Sequence, residues 1–268
     1  MKYCISQATT MPGSFADDVR ACAEAECPAL EVWLTKLEQH LEKHSLDDTR
    51  KLLDDQHVAL AAAAYQGGLL LSQGEQRKAH FEHYRRRLEL CQALGIKTLL
   101  VVADFVERVD ALALERAVVS LRQAAQWAGG FDVHVALEFR GRSTFCASLD
   151  TALSLVLQCN EKNVGVNLDV FHFYTGPSKF EDLALLTKET LAFVQVCDVA
   201  GVPRELASDA DRVLPGDGDY RLAPIIEHLK RIGYDGHVSL ELMNPTLWQI
   251  NATQVMGMGV AALKRLLD

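Results

Sequence analysis

The chain has 268 residues, of which 49% are hydrophobic and 24% are charged, and its formal net charge at pH 7 is −9. This composition is typical of a globular protein. The acidic balance argues against a nucleic-acid-binding surface, which normally carries a basic patch. The apolar runs are shorter than a membrane span requires, and the N-terminal residues lack the apolar stretch of a signal peptide. We therefore expect a protein that binds neither nucleic acid nor membrane.

Seven cysteines are scattered along the chain without a CxxC pair. They are Cys4, Cys22, Cys27, Cys91, Cys146, Cys159 and Cys197. Four of them lie in or beside apolar runs, so we expect them to be reduced and mostly buried. Reduced cysteines are typical of a cytoplasmic protein.

Eight short apolar segments predict strands, and longer amphipathic segments between them predict helices. The predicted strands lie at residues 2–9, 29–34, 58–65, 98–103, 133–139, 164–169, 192–198 and 237–242. The clearest helical patterns lie at 75–94, 109–128, 149–159, 222–232 and 252–267. Several of these helices are followed by a glycine, which readily adopts the left-handed conformation that ends a helix.

Eight strand–helix units in a chain of this length predict an α/β protein with a single (β/α)8 TIM barrel domain over residues 1–268. No linker rich in proline, glycine or serine divides the sequence. An open doubly wound sheet is the alternative. The residues after the first strand, QATTMPGS, lack the glycine-rich turn of a dinucleotide-binding fold, which favours the barrel.

Polar side chains occupy the last four predicted strands. Glu138 ends the fifth strand and Asp169 ends the sixth, while Gln195 and Glu241 lie in the seventh and eighth. Functional residues of such barrels come from the C-terminal ends of the strands, so these four are expected to converge. Three carboxylates and an amide oxygen would repel one another without a cation. The pattern predicts one divalent metal ion, with Mg²⁺ or Mn²⁺ favoured by the oxygen ligands and Zn²⁺ or Co²⁺ as the alternative.

Each of these residues also has a simpler structural interpretation. A glutamate at a strand end is commonly solvated or ion-paired, and Asp169 is also placed to cap the next helix. Gln195 could satisfy neighbouring backbone groups. His172, three residues after Asp169, could reach the same end of the barrel or pack in the core. Trp33, at the end of the second strand, could line a ligand or fill the core.

Several motifs connect the sequence to a known family. They are ATT at 8–10, KHSLDD at 43–48, ALEF at 136–139, LDVFHF at 168–173, DRVLPGDGD at 211–219 and VSLEL at 238–242. With them the chain resembles the xylose-isomerase-like barrel family of sugar isomerases and epimerases, nearly from end to end. Within that family it looks most like the inosose isomerase branch.

The resemblance implies a role for each candidate residue. Glu138, Asp169, Gln195 and Glu241 would hold the metal. The two glutamates would also move a proton between adjacent carbons of a sugar or keto-inositol through an enediolate. His172 is expected to act in catalysis and to bind substrate. Arg212 would bind substrate oxygens or developing charge, because its guanidinium stays protonated and offers a fork of donors.

Three positions depart from the family pattern. Gln195 stands where the sugar epimerases carry histidine, and Gln7 stands where inosose isomerases carry glutamate. Trp33 replaces a polar residue at the end of the second strand. Gln7 and Trp33 are kept as candidate substrate-binding residues. A glutamine in the seventh strand is similar to the 3-dehydroshikimate dehydratases, so a lyase is the alternative function. The expected partner is a small sugar or keto-polyol substrate, and a homo-oligomer is left open.

Overall fold

A computed structural model describes residues 1–268, with ten strands and nine α-helices. The strands are β1 Lys2–Ser6, β2 Ala29–Trp33, β3 Ala59–Gln66, β4 Thr98–Val102, β5 His134–Glu138, β6 Val164–Asp169, β7 Leu191–Val196, β8 Asp198–Val199, β9 Arg212–Val213 and β10 His237–Leu240. The helices are α1 Phe15–Glu24, α2 Leu34–Leu41, α3 Leu46–Gln56, α4 Gly74–Ala93, α5 Ala111–Gly129, α6 Leu149–Cys159, α7 Val170–Thr175, α8 Ala223–Arg231 and α9 Ala252–Leu267.

The strand order is that of a closed barrel. Eight strands follow one another in the order β1-β10-β7-β6-β5-β4-β3-β2, while β8 and β9 form a separate two-stranded sheet. The (β/α)8 fold predicted from the sequence is therefore confirmed, and the open doubly wound sheet is wrong.

The predicted and observed elements agree closely. All eight predicted strands are present, and helices α6 and α9 begin and end at the predicted residues. Helices α1, α2, α3 and α7 are additional to the clear sequence patterns. The start of α3 is set locally, because Ser45 and Asp48 form a capping box in which each side chain accepts a backbone N–H from the other residue.

The chain divides into two compact units, of which the first comprises Met1–Ala63 and Gln195–Asp268. In this unit β1 pairs in parallel with β10 and with β2, in a register that sets Ser6 opposite Glu31. Helix α9 packs against β1 and α1. A side chain at Gly259 of α9 would meet the buried side chains of Leu240 and Ile5, so glycine allows the helix to approach the sheet.

The second unit comprises Ala64–Val194. Its strands β4, β5 and β6 pair in parallel, and Glu138 lies opposite Val102 on one side and Asn167 on the other. Every residue of β6 is buried. Helix α5 begins where the Asp110 side chain accepts the backbone N–H of Ala113 at 2.6 Å. Glu138 is the last residue of β5, so the parallel pairing of β4, β5 and β6 places it at the C-terminal end of these strands.

The short ribbon formed by β8 and β9 positions Arg212, which lies opposite Val199. The loop beyond it is fixed by Asp198, whose carboxylate accepts backbone N–H groups from Gly216 at 3.0 Å and Tyr220 at 2.9 Å. A side chain at Gly218 would overlap the Asp198 carboxylate. The glycine-rich turn after Arg212 is therefore a requirement of the loop's own packing.

All seven cysteines are free and buried, as the sequence predicts. None of the helices combines the length and the apolar character that a membrane crossing requires.

Candidate functional site

One group of candidate residues, named here the carboxylate–histidine cluster, consists of Glu138, Asp169 and His172. Glu138 ends β5, Asp169 ends β6 and His172 lies in the first turn of α7. The His172 Nε2 atom lies 3.4 Å from Glu138 Oε1 and 3.6 Å from Asp169 Oδ2. All three side chains are buried, and one potential ligand atom from each lies within 4.8 Å of the others.

Asp169 serves two purposes in this cluster. Its Oδ1 atom accepts the backbone N–H of Phe171 at 2.8 Å, which caps the start of α7. Its Oδ2 atom faces His172. The structural interpretation of Asp169 as a helix cap is therefore correct, and the same side chain still presents an oxygen to the cluster.

The donor set of the carboxylate–histidine cluster fits a divalent cation. Two buried carboxylates at this separation repel each other, and burial of charge is costly unless the charge is compensated. The two carboxylates supply hard oxygen ligands, which suit Mg²⁺ or Mn²⁺, and the imidazole nitrogen also suits Zn²⁺ or Co²⁺. His172, predicted as a catalytic and substrate-binding residue, thus also lies within reach of the same cation.

A second group, named here the strand-seven cluster, consists of Glu31, Gln195, Arg212 and Glu241. The Gln195 Nε2 atom donates to Glu31 Oε1 at 2.8 Å and to Glu241 Oε1 at 2.9 Å. The other oxygen of Glu241, Oε2, lies 3.1 Å from Arg212 Nη1. All four side chains are buried. Three of the four residues are predicted site residues, so the structure brings this part of the prediction together.

The strand-seven cluster is electrostatically unusual because two buried carboxylates share one amide group. Arg212, which is 1% exposed, supplies one positive charge and also donates to Asp209 from Nε at 3.1 Å and Nη2 at 2.8 Å. Burial and the charge of Glu31 raise the pKa of the Cys4 thiol well above its usual value. Cys4 is therefore a neutral neighbour of the cluster.

Glu31 is the member of the strand-seven cluster that the pattern of polar strand ends does not predict. It lies in the middle of β2, between apolar neighbours, and it is fully buried. The pattern of strand ends selects the polar residues of the later strands and, in the second strand, only the terminal Trp33. A glutamate inside an otherwise apolar strand is itself a signal, since a carboxylate is almost never fully buried unless it has a partner.

A third group lies at the turn after β1 and contains Gln7, Asp18 and Lys36, named here the turn cluster. Lys36 Nζ donates to Asp18 Oδ2 at 2.6 Å and to the Thr10 carbonyl at 2.7 Å. Gln7 donates to the same Asp18 oxygen at 2.9 Å. Burial raises the pKa of Asp18 and lowers the pKa of Lys36, and the mutual attraction of the two groups partly offsets both shifts.

The turn cluster connects Gln7 and Trp33, the two residues that are expected from the sequence to bind substrate. The Gln7 Oε1 atom accepts the backbone N–H of Trp33 at 3.0 Å, while its nitrogen is held by Asp18. Gln7 is fully buried and Trp33 is half-buried. Gln7 therefore links β1 to the end of β2, and its contact with substrate remains a prediction, as does that of Trp33.

Comparison with known proteins identifies the family. The xylose isomerase-like TIM barrel family matches residues 19–266. The chain belongs to this family. The inosose isomerase of Bacillus licheniformis is 27% identical over 96% of this chain and 94% of that protein. The crystal structure of the IOLI protein with a binding zinc atom superposes with a TM-score of 0.93 at 26% identity, covering 100% of this chain and 98% of that one.

A relative with a different activity also matches. The 3-dehydroshikimate dehydratase of Pseudomonas aeruginosa is 29% identical over 63% of this chain, and the match covers 27% of that longer protein. Relatives of this chain therefore include both isomerases and a dehydratase.

Proposed function

We propose that the protein is a divalent-metal-dependent isomerase or epimerase of a sugar or keto-inositol. The observation that carries the proposal is the convergence of buried Glu138, Asp169 and His172, whose potential ligand atoms lie within 4.8 Å of one another. Family membership and the similarity to inosose isomerase supply the reaction class. In this proposal residues 1–268 form one catalytic barrel domain.

The proposed metal ligands are Glu138, Asp169, Gln195 and Glu241. They lie at or next to the C-terminal ends of β5, β6, β7 and β10, which are consecutive in the strand order. The similar IOLI protein structure contains a binding zinc atom, which supports a divalent ion as the cofactor. The predominance of oxygen ligands favours Mg²⁺ or Mn²⁺, and Zn²⁺ or Co²⁺ is the alternative.

The bound ion would act as a Lewis acid on the substrate carbonyl and stabilise negative charge that develops beside it. The side chains would transfer the protons and bind the substrate. In the proposed isomerisation one of Glu138 and Glu241 removes the proton from the hydroxyl-bearing carbon next to the carbonyl, and the other returns a proton to the former carbonyl carbon. The proton of the neighbouring hydroxyl passes to the former carbonyl oxygen, so that the carbonyl and hydroxyl groups exchange places. In an epimerisation the proton returns instead to the first carbon, from the opposite face. His172 and Arg212 would bind substrate oxygens. Arg212 also holds Glu241 through the contact of 3.1 Å to its Oε2 atom.

A dehydratase is the second candidate function. Gln195 and the similarity to 3-dehydroshikimate dehydratase favour it. The two reactions share their first step, removal of a proton next to a carbonyl. In the lyase, the electrons then expel a hydroxyl group from the neighbouring carbon, which leaves as water after protonation, and a double bond remains.

A metal-supplemented reaction screen in deuterium oxide distinguishes the two candidates. The protein is incubated with Mg²⁺, Mn²⁺, Zn²⁺ or Co²⁺ and with inososes, ketohexoses, hydroxypyruvate or 3-dehydroshikimate, and the products are followed by NMR. Deuterium entering a ketose or inosose next to the carbonyl supports the isomerase. If 3-dehydroshikimate is the only substrate that reacts and it gives a dehydrated product, the result supports the lyase. The absence of both reactions with every metal would contradict the proposed function. The Glu138→Gln variant is the control for deuterium exchange that does not depend on the proposed catalytic glutamate.

The substrate is a small molecule, and the seven free, buried cysteines favour a reducing compartment such as the cytoplasm.

A further inference from the structure

The side chain of Gln195 is fixed at its nitrogen end. Both hydrogens of the amide nitrogen point to carboxylate oxygens, one on Glu31 at 2.8 Å and one on Glu241 at 2.9 Å. Ionised carboxylates only accept hydrogen bonds, so the end of the amide that faces both must be the nitrogen. The orientation of this amide is therefore set by the chemistry of its two neighbours.

The position of the amide nitrogen determines where the amide oxygen points. A glutamine can offer a cation only its oxygen, because the nitrogen carries two hydrogens and its lone pair is delocalised. With Glu241 as the single acceptor, the amide could turn about that one hydrogen bond. The second acceptor, Glu31, comes from a different strand and removes this freedom, since the two contacts together define the plane of the amide.

We propose that Glu31 is a positioning residue that holds the amide of Gln195 so that its oxygen is presented for metal binding. This inference rests on the proposed function for the ligand role of Gln195, while the contact between Glu31 and Gln195 stands by itself. Glu31 is fully buried in the middle of β2, between Leu30 and Val32. It acts through Gln195 and is not assigned to the ligand set.

The same arrangement explains why a glutamine suits this position. A neutral histidine ligand binds metal with one ring nitrogen and donates from the other, so it can satisfy one carboxylate only. The glutamine amide donates two hydrogen bonds and thereby bridges Glu31 and Glu241. The pair of carboxylates thus favours glutamine over histidine at residue 195.

A double-mutant cycle tests the proposal with two readouts. The proteins are the wild type, Glu31→Leu, Gln195→Ala and the double variant, with Val32→Ala as a control that perturbs the same strand. The Mn²⁺ dissociation constant is measured by calorimetry, and the metal-free crystal structures show the orientation of residue 195. Loss of an outer partner of a metal ligand typically weakens binding about 10–100-fold. We expect Glu31→Leu to show such a loss, Val32→Ala to show none, and Glu31→Leu to have no further effect in the Gln195→Ala background.

Glu31→Gln keeps the proposal testable if the leucine variant does not fold. Its amide oxygen still accepts from Gln195, so it should retain most of the Mn²⁺ affinity and the orientation of Gln195. The inference would be overturned if Glu31→Leu lowered the Mn²⁺ affinity equally in the wild-type and Gln195→Ala backgrounds. It would also be overturned if Gln195 kept its orientation in the metal-free structure of the Glu31→Leu variant. If the wild type binds no Mn²⁺ at this site, the proposed function fails instead, and the metal-free structures still decide whether Glu31 positions Gln195.

Discussion

Replacing Lys36 with methionine should destabilise the protein strongly, because it breaks a buried ion pair at the turn after β1. Lys36 is 6% exposed and Asp18 is fully buried, and their charged atoms lie 2.6 Å apart. The substitution also removes the bonds from Nζ to the carbonyls of Thr10 at 2.7 Å and Gln7 at 3.3 Å. Removing one partner of a buried pair costs about 3–5 kcal/mol, since the other charge stays buried without its counter-ion.

The expected loss is large compared with the total stability of a typical protein, about 5–15 kcal/mol. At about 2–4 °C per kcal/mol, the melting temperature should fall by roughly 6–20 °C. Urea unfolding followed by circular dichroism measures the free energy directly. Arg20→Met is the matched control, because the Arg20–Asp17 pair lies on the same helix as Asp18 but its side chains are 54% and 65% exposed. Exposed pairs contribute about 0–1 kcal/mol.

The pH dependence of the Lys36→Met variant gives a second check. Burial already raises the pKa of Asp18, and attraction to Lys36 lowers it in part. Without Lys36 the folded-state pKa of Asp18 should rise further above its unfolded value. The folded variant then takes up a proton more readily than the unfolded chain, so its stability deficit should shrink as the pH falls from neutral towards the raised folded-state pKa of Asp18. Equal losses for Lys36→Met and Arg20→Met, or a deficit independent of pH, would refute the reasoning.

Three further predictions concern the proposed metal site. Glu138→Gln and Glu241→Gln should each lower turnover by about 10²–10⁴-fold with an unchanged circular dichroism spectrum, and near-normal turnover in either would rule out the paired-glutamate mechanism. Asp169→Asn should keep the cap of α7 but weaken Mn²⁺ binding measured by calorimetry; unchanged affinity would remove Asp169 from the ligand set. Gln195→His should tighten the binding of Zn²⁺ or Co²⁺ and make metal affinity depend on pH between about 5.5 and 7, as calorimetry at two pH values would show. Identical metal preference and pH response in the wild type and the variant would mean that Gln195 is not a ligand.

The barrel itself could be predicted because its strands carry a strong local signal. The runs around Val164–Asp169 and Thr98–Val102 are short and mostly apolar, as parallel strands buried on both faces should be. The amphipathic helix α5 follows Thr98–Val102. Helix α3 gave no such signal, since most of its residues face solvent and its start depends on the capping box of Ser45 and Asp48. Because its sequence is mostly polar, α3 shows no clear apolar periodicity, although the capping box and packing stabilise it as a helix.

The candidate site was predictable where polar residues end consecutive strands. Glu138 and Asp169 could be found in this way, and the structure places both beside His172. Glu31 and Lys36 could not be found by that rule, because one lies inside a strand and the other in the helix that follows it. Their partners, Gln195 and Asp18, are separated from them by 164 and 18 residues. Such pairing depends on tertiary structure, which local patterns do not contain.

The most direct test of the metal-dependent account is a crystal structure of the protein soaked in millimolar Mn²⁺, with the ion located by anomalous scattering. We predict one Mn²⁺ per chain, bound by Glu138, Asp169, Glu241 and the amide oxygen of Gln195. A Mn²⁺ ion bound elsewhere, or no ion at this concentration, would contradict the account.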